Sequence, residues 1–541
     1  MMSCSGEAGP HRPAMWLASV LAFLSRAVRL RPAGCDLRRF VEDCVLSLSG
    51  SPGAAPHAQS RTSASAPLRP IRSAGRRRAA ILLLATAVSA AMSALFAGPP
   101  AFSQPATVTP DGKWPKAAFP LRVEPGKRYL VDARGRPFFM HGDTAWSLIA
   151  QLSREDADRY LADREARGFN TILVNLIEHK FAAKPPANVY GAKPFELEGS
   201  WPFTMADFSR PTEAYFAHAD WVLKRAEERG FLVLLAPAYL GFRGGDEGWY
   251  KAIIANGSDR LRQYGEYLGR RYANFTNILW THAGDYDPPQ KDVVHAIADG
   301  IRKFAGDGLH TAHCAPETAA IEYWKDAPWL NVNNVYTYGP VYAASLRQYL
   351  RPEKMPFFLM ESRYEFETDT GHQQRMRAQA YYALLTGAFG HVFGNNPIWH
   401  FDGPPIYPPP MKWREALSSP GSRSMAPLRS FFESIPWWTL EPEPSSGLLT
   451  GGRGAQFERA VAARTADASL VIVYIPTNRE ISVDLARLRG PVISAAWIDP
   501  SDGREVSASD VPSQKGRAHA FETPGKNASG YEDWLLVLRS K

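Results

Sequence analysis

The sequence predicts an α/β protein, a (β/α)8 barrel of the TIM type followed by a small antiparallel β-sandwich. Three observations predict it. Eight short apolar runs lie between Phe138 and Phe393, each followed by a crossover and most of the crossovers spaced as amphipathic helices. The runs are apolar throughout instead of alternating, as strands buried on both faces must be. After Trp437-Trp438 that rhythm stops, and only short β-type runs parted by Asn, Asp, Gly and Pro remain.

The stretch from Leu121 to Phe139 contains Pro-Gly and Arg-Gly turns between short strands. Phe138 to His141 is the first run, and Arg154 to Arg167 the first helix, with Ser153 as its N-cap and Gly168 beyond its end. Thr171 to Ile177 is the second run, followed by the helix Thr212 to Arg229, ended by Gly230. Phe231 to Pro237 precedes the helix Asp259 to Tyr272, and Asn277 to His282 precedes Asp292 to Phe304. Thr311 to Cys314 is the fifth run. Leu330 to Val335 leads to the helix Tyr342 to Leu350, and Pro356 to Glu361 to the helix Gln373 to Thr386. Gly390 to Phe393 is the eighth, and a helix from Met425 to Ser434 closes the series. An open doubly wound sheet is the competing fold, but no G-x-G-x-x-G turn follows a strand. Leu470 to Ile475, Ile481 to Leu485, Val492 to Ile498 and Trp534 to Leu538 are the sandwich strands.

The domains expected are an N-terminal extension over 1–75, disordered or preceding the true start, an export signal over 76–103, the barrel over 118–436 and the sandwich over 437–541. The signal rests on Arg76-Arg77-Arg78, the apolar run Ala79 to Ala97 and the small-residue site Ala101-Phe102-Ser103. A membrane anchor is the alternative, weakened by the many Ala and Ser in the run. Residues 1–103 hold 12 Arg, no Lys and 4 acids, so the formal charge of +8 resides there and the rest balances. No nucleic-acid partner is therefore expected for the folded part. Cys4, Cys35 and Cys44 lie in the leader, leaving Cys314 alone, so neither an internal disulfide nor a Cys-based metal site is expected. The expected location is secreted or periplasmic, in a bacterium, without stable membrane insertion after cleavage. The sequence is silent on oligomeric state.

In such a barrel, reactive groups lie beyond the C-terminal ends of the strands. That rule collects His141, Asp143 and Trp146 after the first strand, Asn175, Glu178 and His179 after the second, and Tyr239 after the third. The fourth gives His282, Asp285, Tyr286 and Asp287, and the fifth His313 and Glu317. The last three give Asn333, Asn334, Tyr336 and Tyr338, then Glu361, Arg363, Tyr364 and Glu365, then Asn395, Asn396, Trp399 and His400. Aromatic rings suit the C–H faces of sugars, and amides and acids suit hydroxyls. No H-E-x-x-H or G-x-S-x-G occurs, so no metal or cofactor is expected, with a mononuclear site from scattered strands as the competing reading.

Glycoside cleavage needs one carboxyl to protonate the leaving oxygen and another to attack the anomeric carbon or activate water. Asp285 and Glu361, after the fourth and seventh strands, are the candidate pair, with Asp287 and Glu365 as rivals. His141, Asp143, Trp146, Asn175, His179, Tyr286, Tyr336, Tyr364 and Trp399 are the candidate substrate-binding residues. The alternative is a carbohydrate- or matrix-binding protein on a catalytically idle barrel.

The segments FFMHGDTAWSLIAQLSREDADRYLADREARGFNTI, WTHAGDYD and PFFLMESRYE resemble the apiosidase-like catalytic domain (domain of unknown function 4038, glycoside hydrolase family 140). AAWIDPSDGRE and DWLLVL resemble the C-terminal module that carries a collagen-binding label in that family. Nothing in residues 441–541 has the look of a collagen groove, so the module is expected to steady the barrel flank. The resemblance implies a retaining double displacement, without metal or cofactor, that releases apiose-linked side chains of plant pectin. By position it implies Asp285 as acid/base and Glu361 as nucleophile. One departure is Gly284-Asp285, where the wider barrel-glycosidase clan has Asn-Glu. An Asp is one methylene shorter.

Overall fold

The computed structural model describes residues 114–199, 205–443, 447–512 and 518–541. The expected extension and export signal lie outside them. A three-stranded hairpin sheet (Arg122–Val123, Leu130–Val131, Pro137–Phe138) runs straight into the first barrel strand. Its turn is held by Asp132, whose carboxylate accepts from the Arg134 and Arg136 amides, both at 2.9 Å, and pairs with the Arg136 guanidinium at 2.7 Å.

The barrel strands are β1 (Met140–Thr144), β2 (Thr171–Asn175), β3 (Leu232–Ala236), β4 (Ile278–Ala283), β5 (Leu309–His313), β6 (Asn333–Tyr336), β7 (Phe357–Glu361) and β8 (Gly390–Phe393). They form one parallel sheet in the order β5-β4-β3-β2-β1-β8-β7-β6. Between β5 and β6 the seam is closed partly by a side chain: Asn334 Nδ2 donates to Thr311 Oγ1 at 2.8 Å and to the Ala312 carbonyl at 2.7 Å. Within the uniformly apolar runs a period of two persists. Leu173, Leu232, Leu234 and Leu279 share one buried cluster. Ile172, Val174, Val233 and Leu235 pack instead with the surrounding helices.

Those helices are α1 (Arg154–Ala166), α2 (Glu213–Arg229), α3 (Tyr250–Tyr272), α4 (Lys291–Ala305), α5 (Val341–Tyr349), α6 (Gln373–Leu385) and α7 (Pro420–Glu433). Ser153 caps α1 as expected, its side chain accepting from the Asp156 amide. α3 is two helical segments that meet at a kink at Gly257, whose φ is 70°; the sequence pattern marks the second segment, and the first, from Tyr250, is additional. One helix is longer than its sequence pattern. α7 starts at Pro420 behind the cap Ser419, a start hidden by Pro427 inside the helix. The hairpin Phe195–Glu198 and Met205–Pro211, inserted between β2 and α2, has no apolar run to announce it.

The C-terminal region is two antiparallel sheets. The larger comprises β9 (Leu440–Pro442), β11 (Val461–Thr465), β12 (Leu470–Ile475), β14 (Val492–Ile498), β15 (Glu505–Pro512) and β17 (Trp534–Ser540). The smaller comprises β10 (Leu449–Gly451), β13 (Glu480–Asp484) and β16 (Ala518–Glu522). β12 is buried along its whole length. Val471, Val473 and Ile475 face the smaller sheet, while Ile472 and Tyr474 join a cluster with Tyr381 and Leu384 of α6 and Phe432 of α7. That double burial explains its unbroken apolar sequence. The strands that the pattern missed, β9, β10, β11, β15 and β16, are short, Ala-rich or polar.

Candidate active site

The chain leaves β4 through three successive residues at positive φ: Ala283 at 63°, Gly284 at 140° and Asp285 at 55°. A side chain at Gly284 would bring a Cβ to 2.6 Å from the Tyr239 ring, so the second position needs glycine. Asp tolerates the left-handed region better than most residues, yet the run is strained for Ala and Asp alike. It is pinned by neighbours. The Gly284 amide donates to the His313 carbonyl at 2.9 Å, and the Arg243 amide to the Asp285 carbonyl at 3.3 Å.

His313, the last residue of β5, joins the two candidate carboxyls. The Asp285 amide donates to His313 Nδ1 at 2.7 Å, and His313 Nε2 lies 2.8 Å from Glu361 Oε2. A backbone N–H can only donate, so Nδ1 must accept and the ring proton resides on Nε2. His313 therefore donates to Glu361, which leaves Glu361 Oε1 unbound by it. Burial works against the imidazolium, but the Glu361, Asp285 and Asp287 carboxylates outweigh it and raise the His313 pKa. The amide aimed at Nδ1 opposes that second proton, and the neutral tautomer is the one that satisfies every bond.

Around this line stand four tyrosines and a tryptophan. Tyr336 donates to Asp285 Oδ1 at 2.9 Å and stacks on His313, ring centroids 5.0 Å apart. Tyr239 donates to Oδ2 at 3.3 Å. Tyr338 meets Tyr336 hydroxyl to hydroxyl at 3.1 Å. Trp146 sits edge-on to His313 at 5.4 Å, and its Nε1 donates to the Tyr364 hydroxyl at 3.1 Å. Gly394 makes room for Tyr364, since a Cβ there would reach 2.4 Å from that ring. Burial pushes the Asp285 carboxyl up to about 6, the neighbouring Glu361 adds to the rise, and the tyrosine hydrogen bonds offset part of it. Burial likewise raises the phenols of Tyr239, Tyr336 and Tyr364, so they stay protonated as donors. Among the described residues, no group of three or more His, Cys, Asp or Glu is disposed to hold a metal ion.

Residues 124–439, more than half of the chain, match the family model described as "Apiosidase-like, catalytic domain". The chain belongs to the apiosidase-like family. It is accordingly a glycoside hydrolase. Residues 444–539 match a second model, "Putative collagen-binding domain of a collagenase". Comparison with curated proteins gave no match. Among solved structures, a glycoside hydrolase family 5 protein from Bacteroides vulgatus ATCC 8482 is 23% identical with a TM-score of 0.67, covering 79% of this chain and 96% of its own. A second, titled only a glycoside hydrolase, is 24% identical with a TM-score of 0.66, covering 79% and 99%. At that identity they report the shared fold.

Within this apiosidase-like barrel the candidate binding residues divide. Trp146, Tyr336 and Tyr364 stand around the carboxyls. Asn175 lies at the end of β2, its Nδ2 donating to Glu178 Oε2 at 3.3 Å while its Oδ1 is left unpartnered. Glu178 also accepts from Ser147 Oγ and from the amides of His179, Lys180 and Phe181, so it braces the loop. His179 packs edge-on to Trp249 at 4.8 Å, Tyr286 edge-on to Tyr250 at 5.1 Å, and Trp399 edge-on to Phe181 at 5.0 Å.

His141 and Asp143 are corrected by the structure: they point outward from β1, away from the mouth. His141 Nδ1 lies 3.0 Å from His391 Nε2, and its ring stacks on Phe169. Asp143 pairs with Arg164 of α1 at 2.8 Å and accepts from the Tyr160 hydroxyl at 2.7 Å, with Asp143 and Arg164 both fully buried. The rivals are engaged as well. Glu365 accepts from Ser419 Oγ, the Gly421 amide and Asn395 Nδ2, locking the start of α7. Asp287 accepts from the Ala315 amide at 3.1 Å. Glu317 accepts from Thr337 Oγ1 and the Tyr338 amide and so shapes the turn bearing Tyr336 and Tyr338. His313, Tyr239 and Tyr338 were collected at the rim by their place after strand ends but not singled out as candidates, and the structure brings all three to the carboxyls.

Proposed function

We propose that this protein is an exported, retaining glycoside hydrolase that removes apiose-linked side chains from branched plant pectin, with Asp285 as acid/base and Glu361 as nucleophile. The observation that carries it is the single His313 ring tied to both residues, beside a carboxyl whose pKa is raised to about 6. The raised group is poised to be an acid near neutral pH, and Glu361, which accepts from His313 Nε2 through Oε2, is oriented with Oε1 free of that bond.

In the first step Glu361 Oε1 attacks the anomeric carbon while Asp285 gives its proton to the glycosidic oxygen. The C–O bond to the leaving sugar breaks, and a glycosyl ester forms on Glu361. The Tyr336 and Tyr239 hydroxyls stabilise the new negative charge on Asp285. His313 Nε2–H fixes the orientation of the Glu361 carboxyl. In the second step Asp285 takes a proton from water, the oxygen attacks the anomeric carbon, and the ester bond breaks to restore Glu361. Two inversions leave the configuration unchanged. Trp146, Tyr336 and Tyr364 offer ring faces and hydroxyls to the sugar. Export rests on the basic, apolar and small-residue segments of 76–103.

Asp285→Ala and Glu361→Ala proteins should keep their circular dichroism and lose activity on pectic side-chain oligosaccharides by at least ~100-fold. NMR of the first product should show the substrate's anomeric configuration. Full activity in either variant, or an inverted first product, ends this assignment.

A further inference from the structure

The segment that follows Glu361 is held from two sides. On one side Glu365 locks it to β8 and to the start of α7. On the other it is gripped by α6, the helix to which it leads. Gln379 of α6 accepts from the Arg363 amide and donates to the Arg363 carbonyl, both at 3.0 Å. Farther along, Phe366 at a φ of 66° turns the chain back. Its amide donates to the Gly371 carbonyl at 2.9 Å. Gly371 packs directly on Tyr364, since a Cβ there would come within 2.3 Å of the Tyr364 carbonyl oxygen. The far end of the loop thus supports the backbone of Tyr364, whose hydroxyl accepts from Trp146 Nε1 in the site.

His372 follows Gly371, and there the C-terminal sandwich takes hold. The His372 ring caps α6, its Nδ1 accepting from the Arg375 amide at 3.4 Å. The same ring stacks on Tyr531 of the sandwich, with centroids 5.2 Å apart and planes 10° from parallel. Tyr531 ends a tight turn. The Asn527 amide donates to the Tyr531 carbonyl at 2.7 Å, and Asn527 Oδ1 accepts from the Ser529 and Tyr531 amides. The grip continues along α6. Gln374 donates to the Pro476 carbonyl, the Arg375 guanidinium lies 3.7 Å over the Phe457 ring, and the Tyr382 hydroxyl donates to the Phe457 carbonyl at 2.8 Å. These partners all belong to the C-terminal module. Plain docking of two domains is already served at the middle of the helix, where Tyr381 meets Tyr474. The contact at His372 is different in kind, because it bears on the residue that joins the helix to the site loop.

We infer that the C-terminal module is a working part of the active site, with His372 and Tyr531 as positioning residues. Their stack fixes Gly371, Gly371 fixes Tyr364, and the wall beside Glu361 keeps its place. The inference rests on the glycosidase reading and gives the module a part in that reaction. A reacting group keeps its geometry only when the residues around it are themselves locked. A misplacement of about 1 Å can cost ~100-fold in rate.

The test uses the full protein with Tyr531→Ala and Tyr531→Phe. The contact is made by the ring, so phenylalanine should replace tyrosine and alanine should not. In Tyr531→Ala, hydrogen exchange read by mass spectrometry should speed about tenfold or more in peptides covering 362–371, with peptides from β1 to β4 unchanged. Its kcat on a pectic side-chain oligosaccharide, per folded protein, should fall about tenfold while KM moves less than about twofold. Tyr531→Phe should match the wild type in both. Unchanged exchange overturns the brace, and faster exchange with wild-type kcat overturns its part in catalysis. A phenylalanine variant as damaged as the alanine one overturns the stack. Faster exchange throughout the barrel reduces the contact to a structural one and overturns positioning. Should Tyr531→Ala misfold, His372→Asn keeps a capping oxygen and removes the ring, and the same results are expected of it. If the wild-type protein cleaves no pectic oligosaccharide, the glycosidase reading fails, and exchange over 362–371 still decides whether the module braces the loop.

Discussion

Asp285 is held in a left-handed backbone conformation by the hydrogen bond from its amide to His313 Nδ1, and its carboxyl is half-buried beneath two tyrosines. Such a position costs about 1–3 kcal/mol, and it persists where neighbours over-determine it. The strain aims the acid across the barrel mouth toward β7. Its folded pKa, about 6, lies above the ordinary 3.8. The fold therefore binds this proton more tightly than the unfolded chain does. Its contribution is fully favourable below pH 3.8, is lost as pH rises toward 6, and stays lost above. Asp285→Asn should accordingly raise stability at pH 7.5 by about 1–3 kcal/mol and change little below pH 4, read by urea unfolding at both values. The wild-type kcat/KM should decline above pH 6 as the acid is lost. A stability gain of equal size at both pH values would contradict the burial account. Sequence logic reached Asp285 and Glu361 because strand ends are countable. His313 escaped because its role depends on which ring nitrogen faces which neighbour.

At the scale of the element, β1 shows how a motif can mislead. GDTAW follows a strand, so His141 and Asp143 read as pocket residues alongside Trp146. A strand alternates its faces, and that alternation sends His141 out against Phe169 and His391 and Asp143 out against Arg164 of α1, while only Trp146, past the strand end, reaches the site. Asp143 is buried against Arg164, with burial raising its carboxyl to about 6. Removing one partner leaves the other charge buried and alone. Arg164→Ala should lower stability by about 3–5 kcal/mol, measured by chemical denaturation. A loss below ~1 kcal/mol would mean that the pair is not structural. Glu365 follows the same logic: beside the strand that ends in Glu361 in sequence, it is a lock between β8 and α7 in space.

Across the whole molecule, one cluster of buried side chains runs from the barrel through α6 and α7 into β12 and β17. Tyr381 stacks on Tyr474 at 5.0 Å, and beside them Arg377 of α6 makes a two-pronged pair with Asp533, at 2.8 and 2.7 Å, both side chains fully buried. Tyr474 and Asn527 also donate to that carboxylate. The sandwich is thus welded to the helix that follows the Glu361 strand. Asp533→Ala should cost about 3–5 kcal/mol, and the native protein should unfold in one calorimetric transition. A separate sandwich transition, with the barrel's Tm unmoved by the substitution, would show the two folding independently.

The sequence by itself determined the order of the barrel strands and helices, the change of architecture near Trp437 and the place of Asp285 and Glu361 after two strand ends, because hydrophobic burial writes its period into the chain and a barrel sends every strand end to one rim. Only the tertiary structure decided which rim residues meet, that His141 and Asp143 turn away, that His313 joins Asp285 to Glu361, and that Phe457 of the sandwich packs on Arg375 of α6. Those contacts span tens to more than a hundred residues of chain. They are set by barrel curvature and side-chain direction, for which no local periodicity is a record.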